Sequence, residues 1–352
     1  MLRYQEIKLQ LKQIASSMHP GDKLPSRPAL CKSLDTTRAT LEKAVKELVA
    51  EQVLTAHNGS GTYVAGAPLQ PEEIKTIGLV LPNNTIASYR MLISSVEAYM
   101  QDKGVNVILC NTDGDVTRQN QYISRLLQSK VAGIIIVPVL LLDATQNYLL
   151  YSRLMQHSIP VVFCYRGIDG LNAPLVTYNN FYGGYAATKH LIQMGYRRIA
   201  YISQVYLRTS IDRFQGYMAA LEEHGLPIDR DLVVLGTDHV YQEASRMVSA
   251  PERADGIFCQ TDKISPEVYR AITDHGLRVS KDVGVIGYDD LDICLSQSPR
   301  LTTLGGKDQQ MGTRAAALIW KSISGEEMRH FPYYVFQPEI VRRASCLGPE
   351  VV

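Results

Sequence analysis

The chain has 352 residues, of which 45% are hydrophobic, so it is long enough for two or three domains with well-packed cores. Its formal net charge is only +1, which excludes a protein that binds polyanions through its overall charge. No segment approaches the ~20 consecutive apolar residues of a membrane span, and charged residues interrupt the N-terminal segment too often for a secretory signal. We therefore expect a cytoplasmic protein with no membrane partner.

The cysteines are scattered through apolar segments and show neither the CxxC nor the Cys/His spacing of a zinc site. This pattern predicts reduced core cysteines, and we expect neither a metal nor a cofactor. The six positions are Cys31, Cys110, Cys164, Cys259, Cys294 and Cys346.

The N-terminal residues 1–66 carry nine lysines and arginines against six acidic residues, a local excess of three positive charges. An apolar stripe predicts a helix over residues 4–18. Ser26 is placed to cap a second, short helix, and Thr36 or Thr37 to cap a third. The third helix has an apolar face of Leu41, Ala44, Val45 and Leu48 and an outward face of Ala39, Glu42, Lys43 and Lys46.

A glycine-containing tip at residues 57–61 then separates two short strands, 53–56 and 62–64. With PGDKLPS at 20–26, TRATL at 37–41 and GSGTYV at 59–64, residues 1–65 resemble the winged-helix domain of the GntR family of bacterial repressors. The resemblance implies double-stranded operator DNA as partner. Family members commonly carry basic residues where this chain has Pro28 and Glu42, and we expect the adjacent Arg27 and Lys43 to replace them.

The residues expected at the DNA interface share a position at the start of the third helix, beside it, or at the hairpin tip. They are Arg27, Thr37, Arg38, Thr40, Lys43, Asn58, Gly59, Ser60, Gly61 and Thr62. For the two outward lysines of the helix, a solvated surface is the alternative to phosphate contact.

Residues 67–75 are rich in small, proline and acidic residues and are predicted to form a linker. Beyond the linker, short apolar segments alternate with amphipathic ones, which predicts an α/β, doubly wound parallel fold. The predicted strands are 76–81, 105–110, 133–137, 161–164, 199–203, 232–235, 256–260 and 284–287. The predicted helices between and after them are 89–103, 117–129, 144–157, 183–194, 213–224, 242–249, 266–275 and 310–324.

Residues 74–346 resemble the effector domain of the LacI/GalR repressors. The resemblance rests on HLIQMGYRRIAYI at 190–202, RFQGY at 213–217, VGVIGYDD at 283–290, PRLTT at 299–303 and IVRRAS at 340–345. It implies a two-lobed periplasmic-binding-protein-like domain over 76–346. Lobe 1 is expected at 76–166 and 301–326, and lobe 2 at 167–298 and 329–346. Ligands of such sheets bind at the carboxyl ends of the strands.

The candidate effector-binding residues follow strands or begin helices: Asn84, Tyr89, Tyr165, Arg166, Arg213, Asp262 and Asp289. Each has an alternative structural role. Arg166 is suited to an anion or to an ion pair between the lobes, and Asp262 to a ligand or to structural hydrogen bonds. The resemblance implies that Arg213 presents its planar fork to vicinal hydroxyls and that Asp289 accepts hydrogen bonds from a sugar.

These features predict an effector-controlled transcription factor that acts as a homodimer on a palindromic operator. The resemblance implies repression of a carbohydrate-utilisation operon controlled by a sugar, and a nucleobase effector remains an alternative. A solute-binding protein for transport shares the two-lobed fold but has no DNA-binding domain. Neither a dinucleotide fingerprint nor a nucleophile–base set supports an enzyme.

Overall fold

A computed structural model places secondary structure and packing along most of the chain, and the chain divides into two compact units, Met1–Ile74 and Lys75–Val352. The residues that the structure describes are 3–19, 21–57, 61–65, 75–141, 143–157, 159–306, 308–326 and 330–348. In these ranges, no helix has the length and apolar character needed to cross a membrane.

The first unit is a three-helix domain with a short antiparallel hairpin, which confirms the predicted winged helix-turn-helix fold. Its elements are α1 (Arg3–Ser16), α2 (Arg27–Ser33), α3 (Arg38–Ala50), β1 (Leu54–His57) and β2 (Gly61–Val64). The Ser26 hydroxyl accepts a hydrogen bond from the Ala29 N–H at 3.4 Å, and Thr37 accepts one from the Thr40 N–H at 3.3 Å. These side chains satisfy N–H groups that have no partner within the helix, so they fix where α2 and α3 begin.

A single apolar core joins the helices to the hairpin of the first unit. Ile7 and Leu11 of α1, Leu41 and Leu48 of α3 and Leu54 of β1 are all at most 1% exposed. Side chains at i, i+4 and i+7 lie on one helix face, which is why the apolar spacing in the sequence predicts this packing.

The second unit contains a six-stranded and a four-stranded parallel sheet, with helices packed against both. Its strands are β3 (Thr76–Leu81), β4 (Asn106–Asn111), β5 (Gly133–Ile136), β6 (Val161–Tyr165), β7 (Leu175–Tyr178), β8 (Ile199–Ser203), β9 (Val233–Leu235), β10 (Gly256–Cys259), β11 (Gly284–Ile286), β12 (Thr303–Gly305), β13 (Tyr333–Phe336) and β14 (Glu339–Val341). Its helices are α4 (Ala87–Gln101), α5 (Val116–Gln128), α6 (Ala144–Met155), α7 (Asn180–Gln193), α8 (Arg208–Glu223), α9 (Val240–Ser249), α10 (Ser265–Asp274), α11 (Ile293–Ser296) and α12 (Asp308–Ile323).

The first lobe is built on the strand order β13-β7-β6-β5-β3-β4, and the second on β11-β10-β8-β9. Every strand pair within these two sheets is parallel. The central strands are apolar on both faces because helices cover both sides, as expected for a doubly wound sheet. The predicted α/β class with two lobes is confirmed.

The course of the chain between the lobes differs from the prediction in two places. Residues 175–178, assigned to lobe 2, form β7 and pair with β6 of the first sheet, and residues 333–336 add β13 beside them. The segment 301–305, assigned to lobe 1, belongs with the second lobe, because Thr302 bridges Ile286 and β12 pairs with β14. These strands have three or four residues each, too few for the sequence to show which sheet they join.

Several helices begin earlier than predicted, and α8 matters most for the site. It begins at Arg208 rather than at Arg213, so Arg213 lies in its second turn. The Ser210 hydroxyl accepts a hydrogen bond from the Leu207 N–H at 2.9 Å. The backbone donor that precedes α8 is therefore satisfied by a residue within the helix itself. No Ser, Thr, Asp or Asn directly precedes Arg208 to mark that start in the sequence.

Candidate functional site

The start of α3 presents an exposed polar surface in the first unit. Thr37 and Arg38 are exposed, and Thr40 is half-buried with its hydroxyl 2.9 Å from that of Thr37. Gly61 is also exposed, at the first residue of β2. The other predicted tip residues, Asn58, Gly59 and Ser60, lie outside the described residues.

Two of the basic residues expected at DNA are engaged within the unit. The Arg27 Nε–H donates to Glu42 Oε1 at 3.0 Å, and its Nη2 donates to the hydroxyl of the buried Thr62 at 2.8 Å. The Lys43 ammonium lies 4.0 Å from the centre of the Tyr4 ring. Arg27 therefore ties the start of α2 to α3 and to the wing strand β2.

The second unit contains a cavity of about 310 Å³ where the carboxyl ends of the strands of both lobes face each other. Five of the seven residues predicted to bind an effector line it: Tyr89, Tyr165, Arg166, Arg213 and Asp289. Tyr89 comes from α4 and Tyr165 ends β6, whereas Arg213 comes from α8 and Asp289 follows β11. The two lobes thus supply opposite walls of one polar site.

Arg213 is held on three sides by the second lobe and is only 8% exposed. Its Nε–H donates to Asn180 Oδ1 at 2.9 Å, Nη1 to the Gln260 carbonyl at 2.6 Å and Nη2 to Asp289 Oδ1 at 3.2 Å. The guanidinium carbon lies 3.4 Å from the centre of the Tyr288 ring. This geometry fixes the plane of the guanidinium before any ligand binds, which reduces the conformational entropy lost on binding.

The Asp289 carboxylate is also fixed by hydrogen bonds to its neighbours. Its second oxygen, Oδ2, accepts the Thr261 hydroxyl at 2.7 Å, and its backbone has a positive φ of 102°. A non-glycine residue in this region is strained, and such residues concentrate at functional sites. The Asp289 side chain remains 33% exposed, so its carboxylate is accessible from the cavity.

The first-lobe wall is aromatic and carries a buried carboxyl group. The rings of Tyr89 and Tyr165 meet edge to face, with centroids 5.2 Å apart. The hydroxyls of Tyr165 and Tyr178 both donate to Asp308 Oδ1, at 2.9 and 2.7 Å. Burial raises the pKa of Asp308, although these two hydrogen bonds act in the opposite direction.

The remaining two predicted residues do not line the cavity. Asn84 Oδ1 accepts a hydrogen bond from Asn111 at 3.3 Å, near the edge strand β4. Asp262 is completely buried beneath the cavity, where it accepts the Thr303 hydroxyl at 2.6 Å and the Leu291 N–H at 2.9 Å. Burial, with a smaller effect of Asp289, raises the pKa of Asp262 to about 7. Asp262 therefore makes structural hydrogen bonds, which was the alternative to a role in ligand binding. Its neighbour Thr261 lines the cavity instead.

Several polar lining residues were not predicted from the sequence: Tyr178, Asn180, Gln260, Tyr288 and Asp308. Tyr178 ends β7 and Asn180 begins α7, and neither was assigned a role from the sequence. Gln260 ends the predicted strand 256–260, and ligands of parallel sheets bind at the carboxyl ends of the strands. Its position in the sequence could therefore have identified it. Asp308 begins a helix far along the chain, and only the return of that helix to lobe 1 brings it to the cavity.

The described residues contain no group of three or more His, Cys, Asp or Glu side chains that could hold a metal ion. The arrangement is a hydrogen-bonding cavity between two lobes, in a chain that also carries a winged-helix unit. These features define a protein that binds a small molecule between two lobes and contains a nucleic-acid-binding fold.

Comparison with known proteins agrees with this class. Residues 74–333 match the model of periplasmic binding proteins and sugar binding domain of LacI family, and residues 3–64 match that of bacterial regulatory proteins, gntR family. The chain belongs to the LacI family and carries a GntR-type DNA-binding domain. It is a transcriptional repressor that binds operator DNA and a small-molecule effector, and it is not an enzyme.

Three similar proteins illustrate the range of relatives. An arabinose metabolism transcriptional repressor from Geobacillus stearothermophilus is 26% identical over 96% of both chains. An HTH-type transcriptional repressor PurR from Vibrio campbellii is 31% identical over 88% of this chain and 89% of its own. A LacI transcriptional regulator from Alkaliphilus metalliredigens, solved in complex with D-xylulofuranose, is 27% identical over 78% of this chain and 100% of its own, with a TM-score of 0.64.

Proposed function

We propose that this repressor controls a carbohydrate-utilisation operon and that a small sugar, bound between the two lobes, sets its operator affinity. The observation that carries the proposal is the pair formed by Arg213 and Asp289, which holds a planar donor group beside an accessible carboxylate. Vicinal hydroxyls of a sugar donate to such a carboxylate and accept from such a fork. Two similar proteins, the arabinose metabolism repressor and the regulator solved with D-xylulofuranose, support a pentose.

The proposed regulatory mechanism is a coupling between lobe closure and DNA binding in a homodimer. Ligand contacts made by both walls of the cavity favour a closed arrangement, and coupling free energies between such sites are typically ~1–3 kcal/mol. The homodimer follows from twofold operator symmetry, since one small winged helix contacts too few base pairs. Thr37, Arg38, Thr40 and Gly61, with the tip residues Asn58, Gly59 and Ser60, are the proposed DNA contacts. Arg27, Lys43 and Thr62 support them.

A nucleobase is the second candidate effector. The edge-to-face pair of Tyr89 and Tyr165 offers an aromatic surface on the first-lobe wall, and aromatic faces bind planar bases as well as sugar rings. Relatives that are PurR repressors make this alternative worth testing alongside sugars.

The test begins with selection of bound fragments from sheared genomic DNA, followed by fluorescence anisotropy on the enriched site. Pentoses, hexoses and purines are then added to the protein–DNA complex, and ligand binding is measured by thermal shift. A ligand at 100 times its Kd stabilises the protein by about 2.7 kcal/mol, which is visible as a raised Tm.

Arg213→Ala is expected to abolish both the thermal shift and the change in anisotropy. Arg246→Ala is the matched control, because Arg246 is half-exposed and its ion pair is with Glu243 of the same helix, α9. Failure to enrich any DNA site, even at low salt, contradicts the operator role. If a purine binds and no sugar does, the effector is a nucleobase rather than a sugar.

A further inference from the structure

The cavity contains a second arginine, Arg166, that has no carboxylate partner within the part of the chain that the structure describes. Arg166 directly follows β6 on the first-lobe wall, and its Nε is buried without a hydrogen-bond acceptor among the described residues. Its guanidinium has a polar contact from Nη2 to the Tyr89 hydroxyl, at the limiting distance of 3.5 Å. A buried guanidinium N–H without an acceptor costs stability, so a site that keeps one normally offers it to a ligand.

The acidic groups that line the cavity are already engaged by other residues. Asp289 accepts from Arg213 and Thr261, and Asp308 accepts from two tyrosine hydroxyls. Neither carboxylate is therefore available to neutralise Arg166. A third cation, Lys263, is exposed at the rim of the same cavity. The lining thus carries more cationic than anionic side chains, and the unbalanced charge lies at Arg166.

The second-lobe wall offers partners for uncharged polar groups. The Gln260 Oε1 atom and the Tyr288 hydroxyl are buried and have no hydrogen-bond partner among the described residues. Both residues line the cavity beside Arg213, although the Tyr288 hydroxyl itself packs against Gly183 of α7. The amide oxygen of Gln260 suits a ligand hydroxyl, whereas the guanidinium of Arg166 suits the two oxygens of a carboxylate or phosphate.

We propose that the effector is an anionic sugar derivative, a sugar acid or a sugar phosphate, whose charged group binds Arg166 while its hydroxyls bind the Arg213–Asp289 wall. This inference rests on the proposed sugar-responsive function and narrows its ligand class. Because an anionic derivative keeps all but one of the hydroxyl-bearing positions of its neutral parent, Arg166 is the residue that distinguishes the two.

The experiment is isothermal titration of the full-length protein with matched ligand series. Glucose, galactose and arabinose are each compared with the corresponding sugar acid and with the terminal phosphate ester. We expect a sugar acid or a phosphate ester to bind at least ~10-fold more tightly than its neutral parent, since hydrogen bonds to charged groups contribute more than neutral ones. The relative affinities of the two anionic forms identify carboxylate or phosphate as the group recognised.

Arg166→Gln is expected to weaken binding of the anionic form by about 10- to 100-fold and to leave the neutral parent unchanged. Arg166→Lys keeps the charge and should retain part of the preference, and Arg246→Gln controls for charge loss elsewhere. A neutral sugar that binds more tightly than its acid and its ester, with an affinity that Arg166→Gln does not alter, overturns the anionic proposal. It leaves the sugar-responsive function intact.

The thermal stability of the ligand-free protein is a second readout. If Arg166 is kept for a ligand, Arg166→Gln removes an unsatisfied buried charge and should raise the Tm or leave it unchanged. A clear fall in Tm shows a structural role and overturns the proposal, even if no member of the panel binds. Operator binding of the same variants, measured separately, reports on the repressor function alone.

Discussion

At the scale of single residues, Arg213 and Asp262 show two uses of a buried charge. Arg213 is satisfied by three acceptors of its own lobe and presents a fixed donor plane to the cavity. Asp262 supports this arrangement from beneath by anchoring Thr303 of β12 and the backbone of Leu291. The proposed role of Arg213 is to orient a ligand, whereas Asp262 holds the loop that follows β11.

The raised pKa of Asp262 predicts a pH-dependent stability. Its folded-state pKa of about 7 exceeds its ordinary value of 3.8, so the folded protein holds a proton that the unfolded chain releases. Stability is therefore lost as the pH rises from about 4 to about 7, by up to about 4 kcal/mol. Asp262→Asn, which cannot ionise, should remove this part of the dependence. Urea unfolding at several pH values measures it, and parallel pH profiles for both proteins contradict it.

Single site residues could be predicted from the sequence where neighbouring residues in the chain determine their position. Arg166 and Asp289 were predicted because they directly follow apolar strands, and such positions reach the carboxyl edge of a sheet. Asp308 was not, although the segment 301–326 was assigned to the first lobe, because the helix was predicted to begin at residue 310 and it begins at Asp308. Whether Asp262 or Thr261 faces the cavity depends on one residue of register, and composition does not determine that register.

At the scale of elements, α3 and the wing form one polar assembly through Arg27. Glu42 stands on the outward face of α3, where its carboxylate neutralises Arg27. In the proposed DNA complex, the negative charge of Glu42 opposes the phosphates, while Arg27 connects α3 to the wing strand β2. We therefore expect the pair to lower DNA affinity while it holds α3 and β2 in a defined geometry.

Glu42→Gln is predicted to strengthen operator binding several-fold. Removal of the carboxylate frees the charge of Arg27 for a phosphate, so the logarithmic salt dependence of binding should become steeper by about one. Fluorescence anisotropy at several salt concentrations measures both effects. Glu47→Gln is the matched control on the same helix, because Glu47 pairs with Lys8 of α1. Unchanged or weaker binding by Glu42→Gln places the pair away from the DNA.

The close crossing of α7 and α8 positions Arg213. Two glycines make it possible: a Cβ on Gly184 would lie 1.9 Å from the Arg213 carbonyl oxygen, and a Cβ on Gly216 would lie 2.0 Å from that of Phe181. These contacts are with backbone atoms and leave no room for a side chain. Gly184 and Gly216 therefore serve the packing of α7 against α8.

Gly184→Ala is expected to force the two helices apart, to destabilise the protein by at least ~1–3 kcal/mol and to displace Arg213. Effector binding should fall together with stability. Gln215→Ala, at an exposed position of α8, is the control and should change neither quantity. Thermal unfolding and ligand titration measure the two effects, and a Gly184→Ala protein with wild-type values contradicts the argued packing.

At the scale of the whole molecule, the alternation of apolar and amphipathic segments predicted the α/β class, and the resemblances to the LacI/GalR and GntR families predicted the two lobes and the winged helix. The crossings between lobes were only partly predictable. Strands β7, β12, β13 and β14 have three or four residues each, and pairing partners rather than local sequence determine which lobe they join.

The cysteines provide a test of packing across both units. All six are free, and only Cys31 is partly exposed. Burial raises the pKa of the other five thiols, which therefore remain protonated and inaccessible: Cys110, Cys164, Cys259, Cys294 and Cys346. Since the thiolate is the reactive form, a chromogenic disulfide reagent should label one thiol quickly in the native protein and all six in denaturant.

Cys31→Ser should remove the fast reaction without changing the slow one. Two or more fast-reacting thiols in the native wild-type protein would contradict the packing described for the second unit.

The last strands of the chain belong to different lobes although they are neighbours in sequence. β13 ends at Phe336 in the first-lobe sheet, and β14 begins at Glu339 beside β12 of the second lobe. During synthesis, therefore, the first lobe lacks a strand until the ribosome has passed residue 336, and the second until it has passed residue 341. The winged helix precedes both lobes in the sequence, so it leaves the ribosome well before the cavity between them can form. A nascent chain can thus present the DNA-binding fold before any effector can control it.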